Sequence, residues 1–513
     1  MFAVLALFLL CTQDPTQADV FSSGDGLYPS YRIPAILTTD AGTVLAFAEG
    51  RATASDHAEN DIVLCRSLDG GESWSPVTVL HDDGANSLNN PCVMQVESGV
   101  HAGRILLMYQ RYPEGCHESC VVAGLVGPSI CRGFLLTSDD DGVSWSVPRE
   151  ITAEVKRPTG ATSIAGGPGV GIQKRHAPNV GRILFPFNQG PGPNWKVYAV
   201  FSDDGGDTWT YGDVADDSQS PGVGNEVQFV ELSNGDVYLN SRSNGGAHER
   251  KVATSSDGGQ TWSALLDDPE LIEPQVMASV WRLTDPADGY VLKRMLYAGP
   301  DSSSSRVDGT VRISYDDGDT WPVERLLYPG AYAYSVLTSL PDGRIGVLFE
   351  RDGYAHITLA RFDLAWLTGT GDAALPGPHA TSYCATAPNS VGSGAHITSA
   401  GSANISVGDF KLTAGTVAAG EPAIFYYGPA PIMTPFGAHW RCVGGGPGEL
   451  VRIAPPVVSD ILGGLYTDVP LDALPHAGRL VPASTWYFQC WYRDPGGATG
   501  SGLTDGLQVT FAP

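Results

Sequence analysis

Short apolar runs separated by turn signals recur along the first two thirds of the chain. The first group reads Pro34–Leu37, the turn Asp40-Ala41-Gly42, Val44–Ala48, then Asp61–Cys65. A later one reads Val227–Leu232, the turn Asn234-Gly235, Val237–Asn240, then Lys251–Thr254. The last reads Ser335–Leu340, the turn Asp342-Gly343, Ile345–Phe349, then His356–Ala360. Runs this short, bounded by Gly, Asn and Asp, are strands, and no long helical period interrupts them. Each group predicts a hairpin, a loop and a third strand. Six such groups predict an all-β chain folded as a six-bladed β-propeller of four-stranded blades.

In five groups the third run enters one pattern, Ser-x-Asp-x-Gly-x-x-Trp. The copies are Ser67 to Trp74, Ser138 to Trp145, Ser202 to Trp209, Ser255 to Trp262 and Ser314 to Trp321. Thr310–Ile313 is the run that enters the fifth. Five copies define a repeat architecture. Ser and Asp side chains bond nearby backbone N–H groups, Gly supplies positive φ, and Trp pins the turn onto the sheet. The pattern is the Asp-box, a structural turn. The sixth group ends in Arg361-Phe362-Asp363-Leu364-Ala365-Trp366, which retains an Asp and a Trp.

The repeat stops near residue 370. Leu375-Pro376-Gly377-Pro378-His379 reads as a linker over residues 371–380. Residues 381–513 are poor in Lys and Arg, and alternating stretches such as Ala423–Tyr427 and Thr485–Tyr492 predict a small β-sandwich-like accessory domain of no assigned activity. Trp486, Tyr487, Trp491 and Tyr492 read either as core or as a carbohydrate platform, with core favoured. At the other end, Phe2–Leu10 is apolar but too short to span a bilayer, and Thr16-Gln17-Ala18 offers a cleavage site. Residues 1–18 therefore read as a signal peptide, residues 19–370 as the propeller, and the protein as secreted or periplasmic. Of nine cysteines, Cys116, Cys120 and Cys131 cluster around His117. A disulfide between two of them is expected, because the set lacks a fourth metal ligand. The formal net charge of −26 argues against nucleic acid and anionic membrane as partners.

Blade geometry locates the chemistry. First-strand starts, second-strand ends and the loops between strands two and three share one rim, opposite the Asp-boxes. Eight residues fall on that rim: Arg32, Arg51, Asp56, Glu226, Arg242, Arg306, Tyr334 and Glu350. Converging arginines predict an anionic ligand, since their planar forks bind carboxylate bidentately and stay charged at any working pH.

Tyr31-Arg32-Ile33-Pro34, together with the Asp-boxes, resembles the signature of the bacterial exo-α-sialidases, over about residues 22–368. The resemblance implies that Arg32, Arg242 and Arg306 clamp the sialic acid carboxylate. It implies Asp56 as acid/base, Tyr334 as nucleophile and Glu226 as the carboxylate that activates it. Glu350 would orient Arg32, and Arg51 would line the pocket. Tyr332 is the competing tyrosine; its spacing to Ser335 favours Tyr334. The implied activity is retaining hydrolysis of terminal α-linked sialic acid through a tyrosyl-sialoside, with no cofactor and no metal. The implied partners are sialylated glycans, glycoproteins or glycolipids, with no membrane span. A trans-sialidase or intramolecular sialidase shares every one of these residues. An inactive Asp-box lectin would need the arginines but not the Tyr334–Glu226 pair.

Overall fold

The computed structural model describes residues 14–285, 293–369 and 380–511, apart from residues 393, 401–404, 406–409, 446–449, 460–462, 472–473, 475–479 and 482–483. The expected leader up to Gln13, and the expected linker up to His379, lie outside the described residues. The chain divides into two compact units, residues 1–283 with 294–373 and residues 284–293 with 374–513. The described residues are almost wholly β-structure, and among them no helix is long and apolar enough to cross a membrane.

In the first unit the strands follow one another in antiparallel groups of four. The first group is Ser30–Thr38, Val44–Arg51, Asn60–Ser67 and Thr78–His81. The second is Ser87–Gln95, Ile105–Tyr112, Arg132–Ser138 and Arg149–Glu150. The third centres on Ile183–Gln189 and Lys196–Ser202. The fourth is Val223–Glu231, Val237–Asn244, Glu249–Ser255 and Leu266–Ile272. The long strand Val323–Ser339 ends the fifth group and begins the sixth, which continues through Ile345–Arg351 and His356–Phe362.

The last group takes its fourth strand from the start of the chain. Thr16–Ser22 pairs antiparallel with His356–Phe362, in the register Thr16↔Arg361, Ala18↔Leu359 and Ser22↔His356. Thr16-Gln17-Ala18, read in the sequence as a cleavage site, is thus half of a paired strand. The core runs between neighbouring groups. Leu45 and Phe47 of the first pack in one buried cluster with Val336, Leu348 and Leu359 of the last. Leu184 and Val197 of the third share another with Val227 and Leu239 of the fourth.

The five Asp-boxes are one turn built five times. In the first, the Gly71 N–H donates to Ser67 Oγ at 2.8 Å and the Ser73 N–H to Asp69 Oδ1 at 2.9 Å. Gly142, Gly206, Gly259 and Gly318 repeat the first bond at 2.8 to 2.9 Å. Glycine is required twice over. Gly71 has φ +86°, and a Cβ there would lie 2.3 Å from Leu359 of the adjoining group. The sixth group has no box. Asp363 stands three residues before Trp366 rather than five, and it caps the short helix Leu364–Thr368 by accepting from the Trp366 N–H at 2.6 Å.

The second unit holds a larger sheet and a three-stranded one. Thr485–Arg493 and Pro422–Gly428 are central to the first; His396–Ala400, Lys411–Gly415 and Leu465–Asp468 form the second. Leu412 and Leu465 share a buried cluster with Phe425, Tyr427 and Phe488, so the two sheets enclose one core. Trp486 and Tyr492 are buried in it and are core, while Tyr487 and Trp491 are half-buried and pack against Tyr426, Val443 and Leu503. A disulfide joins Cys384 to Cys442.

Candidate active site

Four first strands carry a bulge at the same level. The pairing skips from Arg32 to Ala35, from Asn89 to Cys92, from Gly224 to Val227 and from Tyr332 to Ser335. In each case two residues oppose one on the second strand, which bends the strand and re-aims its side chains. In the fourth group Asn225 and Glu226 oppose Arg242; in the sixth Ala333 and Tyr334 oppose Glu350. The bulge therefore brings two pairs of the sequence-predicted residues face to face. Ile33, in the first bulge, has φ +59°, a costly conformation for a β-branched residue.

Glu350 holds that bulge in place. It is fully buried and accepts from Arg32 Nε at 2.6 Å, from Arg32 Nη2 at 3.2 Å and from the Ile33 N–H at 2.9 Å. The Tyr334 N–H adds a longer contact at 3.3 Å. Burial works against the Arg32 charge, but the Glu350 carboxylate more than offsets it and holds the guanidinium ionised.

Tyr334 is 5 % exposed, and its hydroxyl donates a short hydrogen bond to Glu226 Oε1. Arg242 Nη1 donates to Glu226 Oε2 at 2.8 Å and to the Tyr334 oxygen at 3.2 Å. Burial, and next the Glu226 carboxylate, push the phenol well above its ordinary value, against the pull of Arg242, Arg306 and Arg32. The guanidinium carbons of Arg32 and Arg306 each lie 5.5 Å from the Tyr334 ring centre. Tyr332, by contrast, is stacked in the core on Phe349 with ring centres 4.8 Å apart.

Arg306 donates to the Tyr354 hydroxyl at 3.0 Å and to the Gln275 carbonyl at 2.9 Å. Among the described residues it has no carboxylate within ion-pair distance, unlike Arg32 and Arg242. Arg51, buried, forks onto buried Glu49 and donates to Asp56 Oδ1 at 2.5 Å. Asp56 is exposed and lies 3.9 Å from Arg32. Burial raises its pKa, but Arg51, then Arg32 and His117, bring the net value below the usual carboxylate range. All eight predicted residues thus belong to one connected cluster.

Several members of the cluster were not singled out in the sequence. Glu49 accepts from the Asn90 N–H at 2.8 Å as well as from Arg51, and burial pushes its carboxyl up. It stands two residues before Arg51 in an otherwise apolar strand, and that alternation was the available signal. Tyr354 lies under Arg32, 3.9 Å from guanidinium to ring centre. Buried Glu273 accepts from the Ser243 and Val276 N–H groups at 2.8 and 2.7 Å. The 113–131 loop reaches the same cluster. Its disulfide is Cys116–Cys120, leaving Cys131 a buried free thiol. His117 stacks on His57 with ring centres 3.7 Å apart, and Tyr112 stacks behind it at 4.3 Å.

A cluster of three arginines, a buried phenol and a carboxylate pair is chemically suited to an anionic ligand with a reactive centre. The family model described as "BNR repeat-like domain" matches residues 42–347. A sialidase of Micromonospora viridifaciens is 35 % identical over 363 residues, which are 69 % of this chain and 54 % of that protein. The chain thus spans about half the length of that relative. Among solved structures, the Hadza microbial sialidase Hz136 is 29 % identical with a TM-score of 0.61, over 68 % of this chain and 69 % of that one. The intramolecular trans-sialidase from Ruminococcus gnavus has a TM-score of 0.60 over 68 % of this chain and 98 % of that one; at 20 % identity this likeness shows fold alone. The chain belongs to the BNR repeat-like family, the Asp-box proteins among which these sialidases fall.

Proposed function

We propose that this member of the BNR repeat-like family is an exo-α-sialidase, which removes terminal α-linked sialic acid from glycoconjugates with retention of configuration. The observation that carries the reading is the hydrogen bond from the Tyr334 hydroxyl to Glu226, surrounded by Arg32, Arg242 and Arg306. We infer further that the four-stranded groups are the blades of a six-bladed propeller, with the cluster on the rim away from the Asp-boxes.

The residue types follow from the substrate. The anomeric carbon of sialic acid bears a carboxylate, which would repel a carboxylate nucleophile. A neutral phenol avoids that repulsion on approach. A tyrosine nucleophile is the known sialidase exception to the two-carboxylate scheme. The raised pKa of Tyr334 keeps it protonated until attack, when the proton passes along the existing hydrogen bond to Glu226. Its oxygen bonds to the anomeric carbon as the glycosidic bond breaks. Asp56 protonates the departing oxygen, then takes a proton from the water that releases the sugar from Tyr334. The arginines hold the substrate carboxylate throughout.

Asp56 carries a tension. Paired with Arg51, it is ionised in the free protein, whereas an acid must arrive protonated. A bound sugar that covers Asp56 would add desolvation, and its carboxylate on Arg32 would offset that arginine's pull; both raise the pKa.

Incubation with sialyllactose, followed by NMR, tests the reading. Free sialic acid released first as the α-anomer is expected. An anhydro sugar or a new sialoside would instead mark an intramolecular sialidase or trans-sialidase. Binding without turnover would mark a lectin.

A further inference from the structure

The loop between Ile105–Tyr112 and Arg132–Ser138 is tied down beside the cluster, and the mechanism above does not use it. Cys116–Cys120 closes a short turn within it, and the Cys120 and Val121 N–H groups donate to the His117 carbonyl at 3.0 and 3.2 Å. The Tyr112, His117 and His57 rings form one stack. His57 follows Asp56 in the chain, and Glu118 follows His117. The stack therefore brings the segment that carries Glu118 to the segment that carries Asp56, near enough for the two carboxylates to interact. Glu118 keeps surface open to solvent although the surrounding chain crowds its carboxylate, and among the described residues it has no ion-pair partner. It interacts electrostatically with Glu226, Asp56 and Arg242, and Arg242 is already paired with Glu226. The charge it meets is thus predominantly negative.

We propose that Glu118, held by the His57–His117 stack, forms the leaving-group wall of the site and selects sialosides with a neutral penultimate sugar over those with an anionic one. The inference rests on the sialidase reading, because it takes Asp56 to touch the glycosidic oxygen. The leaving group then departs past Asp56 and meets Glu118. Neutral sugar hydroxyls donate hydrogen bonds to that carboxylate, whereas a sulfate or second carboxylate is repelled. Close packing around the side chain, then the Glu226 and Asp56 carboxylates, push Glu118 up to about 7, against the pull of Arg242. The wall is therefore neutral below that pH and charged above it. The neighbouring His117 is pushed down to about 4 by burial and by His57, so it stays neutral across that range.

The test compares sialyllactose with the same sugar sulfated on its galactose, two substrates that differ in one charge of constant sign. The ratio of their kcat/KM values cancels effects common to both. For the wild type the preference for the unsulfated sugar should rise between about pH 6 and pH 8, as a group titrating near 7 becomes charged. Glu118→Gln should cut the preference about tenfold at the upper pH, the size of a largely solvent-screened like-charge contact removed, and flatten its pH dependence. Glu114→Gln, an exposed acid on the same loop, should keep the wild-type ratio. Turnover of both sugars with equal ratios in wild type and Glu118→Gln overturns this inference alone. Absence of turnover overturns the sialidase reading, and this inference with it.

Discussion

Arg32 and Glu350, 318 residues apart, meet fork to fork at 2.6 and 3.2 Å, and the same carboxylate accepts from the Ile33 N–H. One buried side chain of the last strand group thus fixes both the charge and the strained bulge of the first. Glu350→Ala would leave a buried guanidinium and a backbone donor without their acceptor. Removing one partner of a buried ion pair costs about 3–5 kcal/mol. A clear fall in Tm is expected, with weaker binding of a sialic acid analogue. Glu350→Gln, which still offers one acceptor oxygen, should recover part of the stability. A wild-type melting curve for Glu350→Ala would show that the clamp does not hold the bulge.

The three arginines should not behave alike. Arg32→Ala strands Glu350, and Arg242→Ala leaves Glu226 without its cation. Arg306 is bonded to a hydroxyl and a carbonyl, so its charge is the most available to a ligand carboxylate. Each alanine variant should weaken binding of a sialic acid analogue by about 2–5 kcal/mol, as for truncation of a buried charge partner. Only Arg32→Ala and Arg242→Ala should also lower Tm appreciably. Calorimetric titration and thermal melts on the three variants separate the two effects; unchanged affinity in all three would remove the clamp from the proposal.

Much of this site was legible because repetition and chemistry coincide. Five Asp-boxes phase the strands, so Glu226, Tyr334 and Glu350 could be set at equivalent levels before any contact was known. What stayed hidden depends on pairing. The bulges that oppose Glu226 to Arg242 and Tyr334 to Glu350 are register events, and no residue type announces them. Thr16–Ser22 sits after an apolar run that reads as a leader, yet it completes the last strand group by pairing with His356–Phe362. Tyr354 and Glu118 lie on loops, where neither periodicity nor the Asp-box phasing reaches.

The Asp-box glycine offers a stability test that leaves the site alone. Gly71→Ala imposes a Cβ at φ +86° and drives it against Leu359. Overpacking of this kind costs about 1–3 kcal/mol, in addition to the left-handed strain. The variant should melt earlier, while kcat/KM, measured well below the transition, stays within about twofold, since the box contributes no group to the site. Gly70→Ala meets no atom within 4 Å and carries only the φ penalty at +70°, so it should be milder. Equal losses would show that contact with the neighbouring strand group does not matter.

The same boxes set an acid limit on folding. Asp69 and Asp140 are each lowered to about 2 from an ordinary value near 3.8. At Asp69 desolvation works upward and is outweighed by bonds from Ser73, Ser67 and Glu72; at Asp140 the Ser144 bonds lead. A carboxylate whose pKa is lower in the folded state stabilises it above the unfolded pKa, and that contribution fades as pH falls through the folded value. Stability should therefore decline from about pH 4 towards pH 2. Asp69→Asn, which cannot titrate, should flatten that decline while starting from a lower Tm. Parallel pH profiles for wild type and Asp69→Asn would exclude Asp69 as a source.

Catalysis and binding should separate at Tyr334, and the nucleophile Tyr334 and the acid Asp56 should separate by leaving group. Tyr334→Phe removes one oxygen and leaves the ring between Arg32 and Arg306. Sialoside binding should survive, since the arginines are untouched, and kcat/KM should fall by about two orders of magnitude or more on every substrate. Asp56→Ala removes the acid of the bond-breaking step, the step that kcat/KM reports, and the base of the later hydrolysis. An aryl leaving group departs without protonation and a sugar alkoxide does not, so kcat/KM should fall steeply on sialyllactose and little on an aryl sialoside. Because Asp56 is held below the usual carboxylate range by Arg51 and Arg32, its protonated fraction grows as pH drops. Wild-type kcat/KM on sialyllactose, relative to the aryl sialoside, should therefore rise towards acid pH, and Asp56→Ala should abolish that trend. Full activity of Tyr334→Phe with retention on both substrates would mean that the phenol is not the nucleophile. An equal loss on both substrates in Asp56→Ala would mean that Asp56 does more than protonate the leaving group.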